Sequence, residues 1–270
     1  MSMASHILTT DRHELLTTTL AGTTETCWIV DPTPETIRAV VDVASSSDTA
    51  AQLRLLAAEE TLKATFEEFL VASRTADLVA GNDLAVRTLA AHTPNSLVIT
   101  DNMVTAVVTA GEQIAGLRTD ETDFVETTQA EIADRWADTN PFRLRTPAIS
   151  AIRTTLREDI GEAVGEDFDT LLGSLETAHE DTHDGVTLSL LIAAKNEVLL
   201  YDISKWGEDV GIASKATFSR TKSRLEEANV ITTEKVPIDV GRPRLRLQLG
   251  GELRTAPTAD LAAVAAELLG

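Results

Sequence analysis

Cysteine, lysine and aromatic residues are all scarce in this chain, and each scarcity excludes something. The single cysteine, Cys27, has no partner for an internal disulfide and cannot build a thiolate metal cluster. Aromatic residues make up only 4% of the chain, so its 43% hydrophobic content is mostly Ala, Val, Leu and Ile in short segments. No apolar run approaches the ~20 residues that a membrane-spanning helix needs. Residues 1–10 lack a basic stretch ahead of an apolar one, so no secretory signal is expected. Nucleotide and hydrolase fingerprints are missing too. There is no G-x-G-x-x-G, no P-loop Lys-Ser/Thr after Gly161–Gly165, no G-x-S-x-G elbow and no His-x-Lys core of the phospholipase type. These absences point to a cytoplasmic protein with neither a catalytic residue set nor a cofactor.

What is abundant is negative charge. Forty-three acids against 23 bases give a net charge of −20, and only six of the bases are lysines. An excess of Asp and Glu keeps a protein soluble at the cost of self-repulsion, a lever that salt-adapted proteins use. We read the surface as that of a protein from a high-salt cell. The charge is unevenly spread. Residues before Gly185 carry 12 bases and 32 acids, whereas Gly185–Arg254 carries 11 bases and 9 acids. Within Ser214–Arg246 the count is 8 bases to 4 acids. A locally basic stretch in so acidic a chain suggests contact with a polyanion.

At about 150 residues per domain, 270 residues suggest two domains. The first half alternates. Thr26–Val30 reads as a buried strand, Glu35–Ala44 as a helix, Gln52–Ala57 as a strand and Glu59–Arg74 as one amphipathic helix. A weak strand at Asp77–Ala80, a helix at Asp83–Ala91 and a strand at Ser96–Thr100 are expected next. Asp101-Asn102 then turns into Met103–Thr109 as a hairpin, and Glu121–Ala137 is helical. This pattern predicts an α/β, Rossmann-like domain with a mixed sheet over residues 1–138. Residues 139–184 read as an acidic helical bridge. There Ile149, Ile152, Leu156 and Ile160 form an apolar stripe that needs cover from a flanking domain or a second chain.

Residues 185–254 predict a winged helix-turn-helix, followed by a C-terminal helix over 255–270. Thr187–Asn196 and Ser204–Val210 are helices, Gly211-Ile-Ala213 is a turn, and Ser214 caps a third helix running to Ala228. Phe218 and Leu225 face inward. Lys215, Ser219, Lys222 and Ser223 are expected on the outer face, with Arg220 and Arg224 at its edges. Thr232–Ile238, a turn at Asp239–Pro243 and the alternating Arg244–Leu249 make the wing, with Leu245, Leu247 and Leu249 inward. In this architecture the third helix enters the major groove and the wing touches the adjacent backbone or minor groove. The expected DNA contacts are Lys215, Thr217, Ser219, Arg220, Lys222, Ser223, Arg224, Lys235, Arg242, Arg244 and Arg246. Arg242, beside Pro243, is the candidate for minor-groove insertion.

Ala213–Ile231 resembles the S-x-x-T-(apolar)-S…L-E-x-x-G-(apolar)-I pattern of archaeal and bacterial winged-helix regulators, and Gly241-Arg-Pro-Arg244 resembles their G-R-P-R wing. With Leu200–Val210 and the acidic α/β first half, the chain is similar to the haloarchaeal TbsP-like transcriptional regulators, related in layout to TrmB-like sugar-responsive regulators. It departs from them at three points. The TrmB-like proteins place the DNA-binding domain first, Lys222 stands where many relatives are apolar, and Asn229 replaces a common Gly. The resemblance implies a dimeric regulator of metabolic genes bound to double-stranded promoter DNA and answering to a small-molecule effector. The alternative is a non-enzymatic metabolite sensor whose winged helix mediates protein assembly.

Effector candidates sit at the turns that would follow strands in an α/β sheet, namely Asp31, Asn82, Asp101 and Asn102. All are also ordinary turn formers. His179-Glu-Asp-Thr-His183 matches the H-E-x-x-H zinc pattern, but its polar surroundings and the absence of a downstream histidine argue against a metal. No metal site is expected.

Overall fold

Short apolar runs punctuated by Asp, Pro and Gly become strands in the computed structural model, which describes residues 6–46, 51–90, 92–178, 184–237 and 243–269. The chain divides into two compact units, residues 1–67 with 74–144 and residues 68–73 with 145–270.

The N-terminal unit contains, in order, β1 (Ile7–Thr9), α1 (Arg12–Leu20), β2 (Thr26–Val30), α2 (Pro34–Ser46), β3 (Gln52–Ala58), α3 (Glu59–Thr65), α4 (Phe69–Ala80, of which residues 69–73 belong to the other unit), β4 (Leu84–Leu89), β5 (Ser96–Ile99), β6 (Val104–Ala110), β7 (Gln113–Thr119), α5 (Thr122–Ala137) and β8 (Asn140–Pro141). Its eight strands form one mixed sheet in the order β1-β7-β6-β5-β2-β3-β4-β8. Only the β2-β3 and β3-β4 pairs are parallel. Side chains alternate between faces with period two. Trp28, Val30, Leu56, Ile99 and Val104 form one buried cluster with Val125 and Ile132 of α5. Cys27, Ile29, Leu53 and Leu55 point the other way and are fully buried. Cys27 is thus a core residue, and burial pushes its thiol up to about 12.

Three local expectations are corrected here. Residues 77–80 end helix α4 instead of forming a strand. Residues 84–89, expected as a helix, are strand β4, because Leu84 and Val86 pair in parallel register with Leu53 and Leu55 of β3. Pairing beside a buried strand outweighs a weak local helix propensity. The single helix expected over Glu59–Arg74 is interrupted at residues 66–68. The Asp101-Asn102 hairpin is present, since Ile99 faces Val104 and Leu97 faces Ala106.

The C-terminal unit contains α6 (Ile149–Asp159), α7 (Glu162–Ala178), α8 (Gly185–Lys195), α9 (Leu200–Val210), α10 (Lys215–Glu227), β9 (Ile231–Val236), β10 (Arg244–Leu249), two 3-10 turns (Gly251–Arg254 and Thr258–Asp260) and α11 (Leu261–Leu269). The Ile149, Ile152 and Leu156 stripe is covered inside this unit. It shares a core with Phe168 and Leu172 of α7, all of the apolar face of α8, and Trp206, Phe218, Leu225, Leu247 and Leu261. Trp206 also donates from Nε1 to Thr155 Oγ1 at 3.0 Å, pinning α9 to α6. Asp167 of α7 accepts bonds from Lys195 and Asn196 at the end of α8, both at 2.8 Å, and from Thr258 at 3.2 Å. Burial pushes this carboxyl up, but the three donors prevail and hold it below the ordinary carboxylate range. Gly207 is where α9 meets α10, and a Cβ there would stand 2.3 Å from Phe218 Cζ. Only a residue without a side chain lets the two helices approach this closely.

Candidate nucleic-acid interface

Two local signals aim α10 outward. Gly211, at φ 94°, ends α9 in the left-handed region, a conformation glycine takes at no steric cost. Ser214 then caps α10 by accepting from Thr217 N–H at 3.2 Å. Phe218 and Leu225 turn into the core. Lys215, Ser219, Arg220, Ser223 and Arg224 are exposed on the opposite side.

The expected contacts on this helix do not all project. Lys222 corrects the expectation of an outward side chain. It lies four residues after Phe218 and three before Leu225, so helical geometry puts it on the core stripe. Its side chain is 12% exposed, and Nζ is held 2.6 Å from Glu226 Oε2. Glu226 also accepts from Thr233 Oγ1 at 2.7 Å. Burial pushes the Glu226 carboxyl up, and these two donors outweigh burial and bring it below its ordinary value. Lys222 therefore braces Glu226, and Glu226 joins α10 to β9. The Thr217 hydroxyl is engaged with Ser214 Oγ at 3.0 Å, and Ser223 Oγ donates to Ser219 O at 3.2 Å. Arg220 has no ion pair or hydrogen bond among the described residues.

On the two-stranded sheet, β9 and β10 pair antiparallel with Arg246 opposite Glu234 and Leu245 opposite Lys235. Arg244 and Arg246 thus share one face, and Lys235 belongs to the other. Leu247 and Leu249 are buried as expected, while Leu245 is half-buried. Arg242 lies outside the described residues. Arg244 stacks 4.5 Å from the Tyr201 ring centroid and reaches Asp202 Oδ1 at 3.5 Å. Lys215 Nζ lies 5.9 Å from the same ring and 3.1 Å from Glu208 Oε2. The hydrogen bond from Lys215, chiefly, holds the Glu208 carboxyl below its usual range. An open cleft of about 500 Å3 runs between these groups, lined by Leu200, Tyr201, Ser204, Lys215, Ser219, Pro243, Arg244 and Leu245. Tyr201 was not among the expected contacts. It is the only tyrosine in the chain and is 48% exposed. That exposure, in a chain so poor in aromatics, is the signal that singles it out.

In the N-terminal unit the four effector candidates do not converge. Asp31 follows the C-terminal end of β2. Asn82 precedes β4, at the opposite end of the parallel strands, where at φ 64° it closes the turn after α4. Asp101 lies near Thr24, ahead of β2, with Thr24 N–H at 3.5 Å. Asn102 shares its turn. The expectation of one site at the strand C-termini is therefore corrected, because the loop before a strand and the turn of an antiparallel hairpin fall at the other end. Asp31 instead gathers residues that sequence reasoning did not single out. Its carboxylate accepts from Thr93 N–H at 2.6 Å and lies 2.8 Å from His92 Nδ1, while His92 Nε2 lies 3.2 Å from Glu60 Oε1. The H-E-x-x-H segment lies outside the described residues. Among the described residues no group of His, Cys, Asp and Glu is arranged to hold a metal, and no helix is long and apolar enough to cross a membrane.

An outward basic helix after a tight interhelical turn, followed by a two-stranded sheet, is the arrangement of a C-terminal helix-turn-helix domain, a fold that docks a helix on nucleic acid. The chain belongs to the TbsP-like transcriptional regulators: residues 148–266 match the family's C-terminal HTH domain and residues 4–147 its N-terminal domain. No curated protein matches the chain. Among solved structures, it is similar to TrmBL2, an archaeal chromatin protein with a novel mode of DNA binding, at 13% identity and a TM-score of 0.39. That match covers 52% of this chain and 55%, about half the length, of TrmBL2. It is similar also to Nuc, a phospholipase D family member from Salmonella typhimurium, at 13% identity and a TM-score of 0.38, covering 52% of this chain and 99% of Nuc. NucT from Helicobacter pylori matches at 12% identity and a TM-score of 0.35, over 52% of this chain and all of NucT.

Proposed function

We propose that the protein is a sequence-specific regulator of metabolic genes that binds double-stranded promoter DNA through a C-terminal winged helix. In this reading α10 lies in the major groove, with Lys215, Ser219, Arg220, Ser223 and Arg224 toward the bases and phosphates. Arg244, Arg246 and Arg242 belong to the wing, and Lys235 reaches backbone from its other face. One observation carries the reading. In a chain of net charge −20, Lys215 of α10 and Arg244 of β10 meet across one open cleft, an arrangement suited to phosphate contacts. Selection of bound duplexes from a random-sequence pool tests it. Enrichment of one motif is expected, with Arg220→Ala costing about 1–3 kcal/mol and relaxing preference at one position. Failure to enrich any motif rejects sequence-specific reading.

The N-terminal unit is proposed as a Rossmann-like effector and oligomerisation domain of a cytoplasmic, non-enzymatic homodimer, its α/β core being the run β2–α2–β3–α3–α4–β4. Leu8, Ala115 and Val108 lie in one row across β1, β7 and β6, and Leu8, Val108 and Leu117 are exposed. An uncovered apolar row on a sheet flank supports self-association there. Light scattering is expected to give a dimer that Leu117→Arg dissociates. A monomeric wild type would overturn the dimer.

A further inference from the structure

Four bases of the proposed DNA face lie against acids from neighbouring elements. Lys215 of α10 is held by Glu208 of α9 at 3.1 Å, Arg244 of β10 by Asp202 of α9 at 3.5 Å, and Arg246 of β10 by Glu234 of β9 at 3.7 Å. Arg224 approaches Asp184 at 3.7 Å, but Asp184 has a separate duty as the cap of α8, accepting from Thr187 N–H at 2.8 Å. Asp202 and Glu234 cap no helix with their side chains, whereas Glu208 also accepts from the Lys215 backbone N–H at 3.3 Å at the start of α10. None of their three pairs has the i,i+3 or i,i+4 spacing that arises within one helix. They are made by the packing of α9, α10, β9 and β10. All six side chains are between 39% and 55% exposed, so solvent and salt screen the pairs and they add little to stability.

Resting on the DNA reading above, we propose that Asp202, Glu208 and Glu234 are intramolecular substitutes for DNA phosphate that limit the protein's hold on arbitrary DNA. Glu208 and Asp202 stand within hydrogen-bond reach of their bases, as a phosphate oxygen would, and Glu234 neutralises Arg246 as a looser ion pair. A phosphate that takes over the base gains one charge-assisted bond in exchange for another and leaves a carboxylate beside it, of like charge. Base and acid together bring almost no net charge to the duplex, so the pair releases few of the counterions that drive non-specific binding. Hydrogen bonds to base edges are not subject to this exchange. Arg220, on the same helix face and without such an acid among the described residues, keeps its full charge for DNA.

The test compares the full-length protein with a triple variant, Asp202→Asn, Glu208→Gln and Glu234→Gln. A charge-matched control changes three exposed acids of the N-terminal unit, Glu59→Gln, Glu112→Gln and Glu131→Gln. Binding to a labelled random-sequence duplex is followed by fluorescence anisotropy over a range of potassium chloride concentrations in which circular dichroism shows all three proteins folded. The triple variant is expected to bind on the order of tenfold more tightly at the lowest salt, with its slope of log K against log salt steeper by about 0.9 for each base restored. The control is expected to follow the wild type. Equal affinity and slope for wild type and triple variant overturn the proposal, as does an equal gain in the control, which would make the effect one of net charge alone. If neither wild type nor triple variant binds duplex DNA at any salt, the DNA reading itself fails. Binding by the triple variant alone supports the proposal.

Discussion

Arginine is used in opposite ways by the two units. In the N-terminal unit Arg54 lies 4.8 Å from the Trp28 ring centroid and 5.6 Å from that of Trp136, and Arg87 lies 4.7 Å from Trp136. Arg87 also donates from Nη1 to the Trp136 and Thr139 carbonyls at 2.6 and 3.0 Å. These guanidiniums bind the end of α5 and the segment after it to the sheet. In the C-terminal unit Arg244 stacks on Tyr201, but that ring is half-exposed and the guanidinium's acid partner, Asp202, lies at 3.5 Å. The contact type is the same. What differs is whether the remaining donors are consumed by backbone carbonyls or left open to exchange, and that separates an arginine that holds a fold from one that can hold a ligand.

The sharpest way to break this contrast is to truncate one arginine from each unit. Arg87→Ala is expected to destabilise the protein by about 2–3 kcal/mol, because it removes the ring contact and the charged donor to two carbonyls, of which only that of Trp136 keeps the Thr139 N–H and hydroxyl as donors. Arg244→Ala is expected to change stability by less than about 0.5 kcal/mol, as a screened surface pair does, while weakening binding to a selected duplex. Denaturant unfolding and duplex titration on both variants give the comparison. Equal stability losses would mean that Arg244 is also a structural residue.

A smaller effect is expected at Lys222, the base that the sequence placed outside and the fold placed inside. Lys222→Met keeps the length of the stem on the core stripe, and Glu226 remains bonded to Thr233. Losing one partner leaves the partly buried Glu226 carboxylate with Thr233 alone, so a loss of about 1–2 kcal/mol is expected, less than stripping a fully buried pair would cost. Affinity for the selected duplex should hold within about twofold, well short of the 1–3 kcal/mol of a base-reading contact. A tenfold loss would return Lys222 to the reading face.

The C-terminal unit was the more legible of the two because its signals are local. Ser214 as a cap, Asn229 at φ 56° and the alternation of Arg244–Leu249 all act within a few residues, and each appears where the pattern places it. Lys222 was misplaced although its spacing from Phe218 and Leu225 already assigned it to the core stripe. Charge does not by itself set the face of a residue, because a lysine stem can lie along a core while its ammonium reaches a carboxylate. In the N-terminal unit, β4 was hidden because its conformation comes from pairing with β3, some thirty residues earlier in the chain. Strands β1 and β8 likewise rest on pairing with strands distant in sequence, whereas β7 follows β6 across the short turn at residues 111–112 as a local hairpin. The acids that hold the DNA-facing bases, and the His92–Asp31–Glu60 group, depend on which elements are neighbours in space, and no one-dimensional pattern carries that.

The smallest expected effect separates the units by pH. His92 places Nδ1 2.8 Å from Asp31 and Nε2 3.2 Å from Glu60. A neutral imidazole can donate from only one nitrogen, so two acceptors favour the doubly protonated ring. The hydrogen bond to Asp31, followed by that to Glu60, raises the His92 pKa above 6.5. A pKa raised in the folded state adds stability that is complete below the unfolded value and is lost as pH rises through the folded one. The N-terminal unit should therefore lose a little stability as pH climbs from below 6.5 through the raised value. The loss is small because the ring is 57% exposed and the pair is screened. The C-terminal unit has no histidine among its described residues, and its lysines and arginines keep their charge across that range. Amide exchange followed segment by segment over this pH range should show the slope in β2, β3 and the chain around His92, and none in α8–α10. His92→Gln should flatten it. A slope that survives in the variant, or that appears equally in both units, would take the pH response away from this histidine.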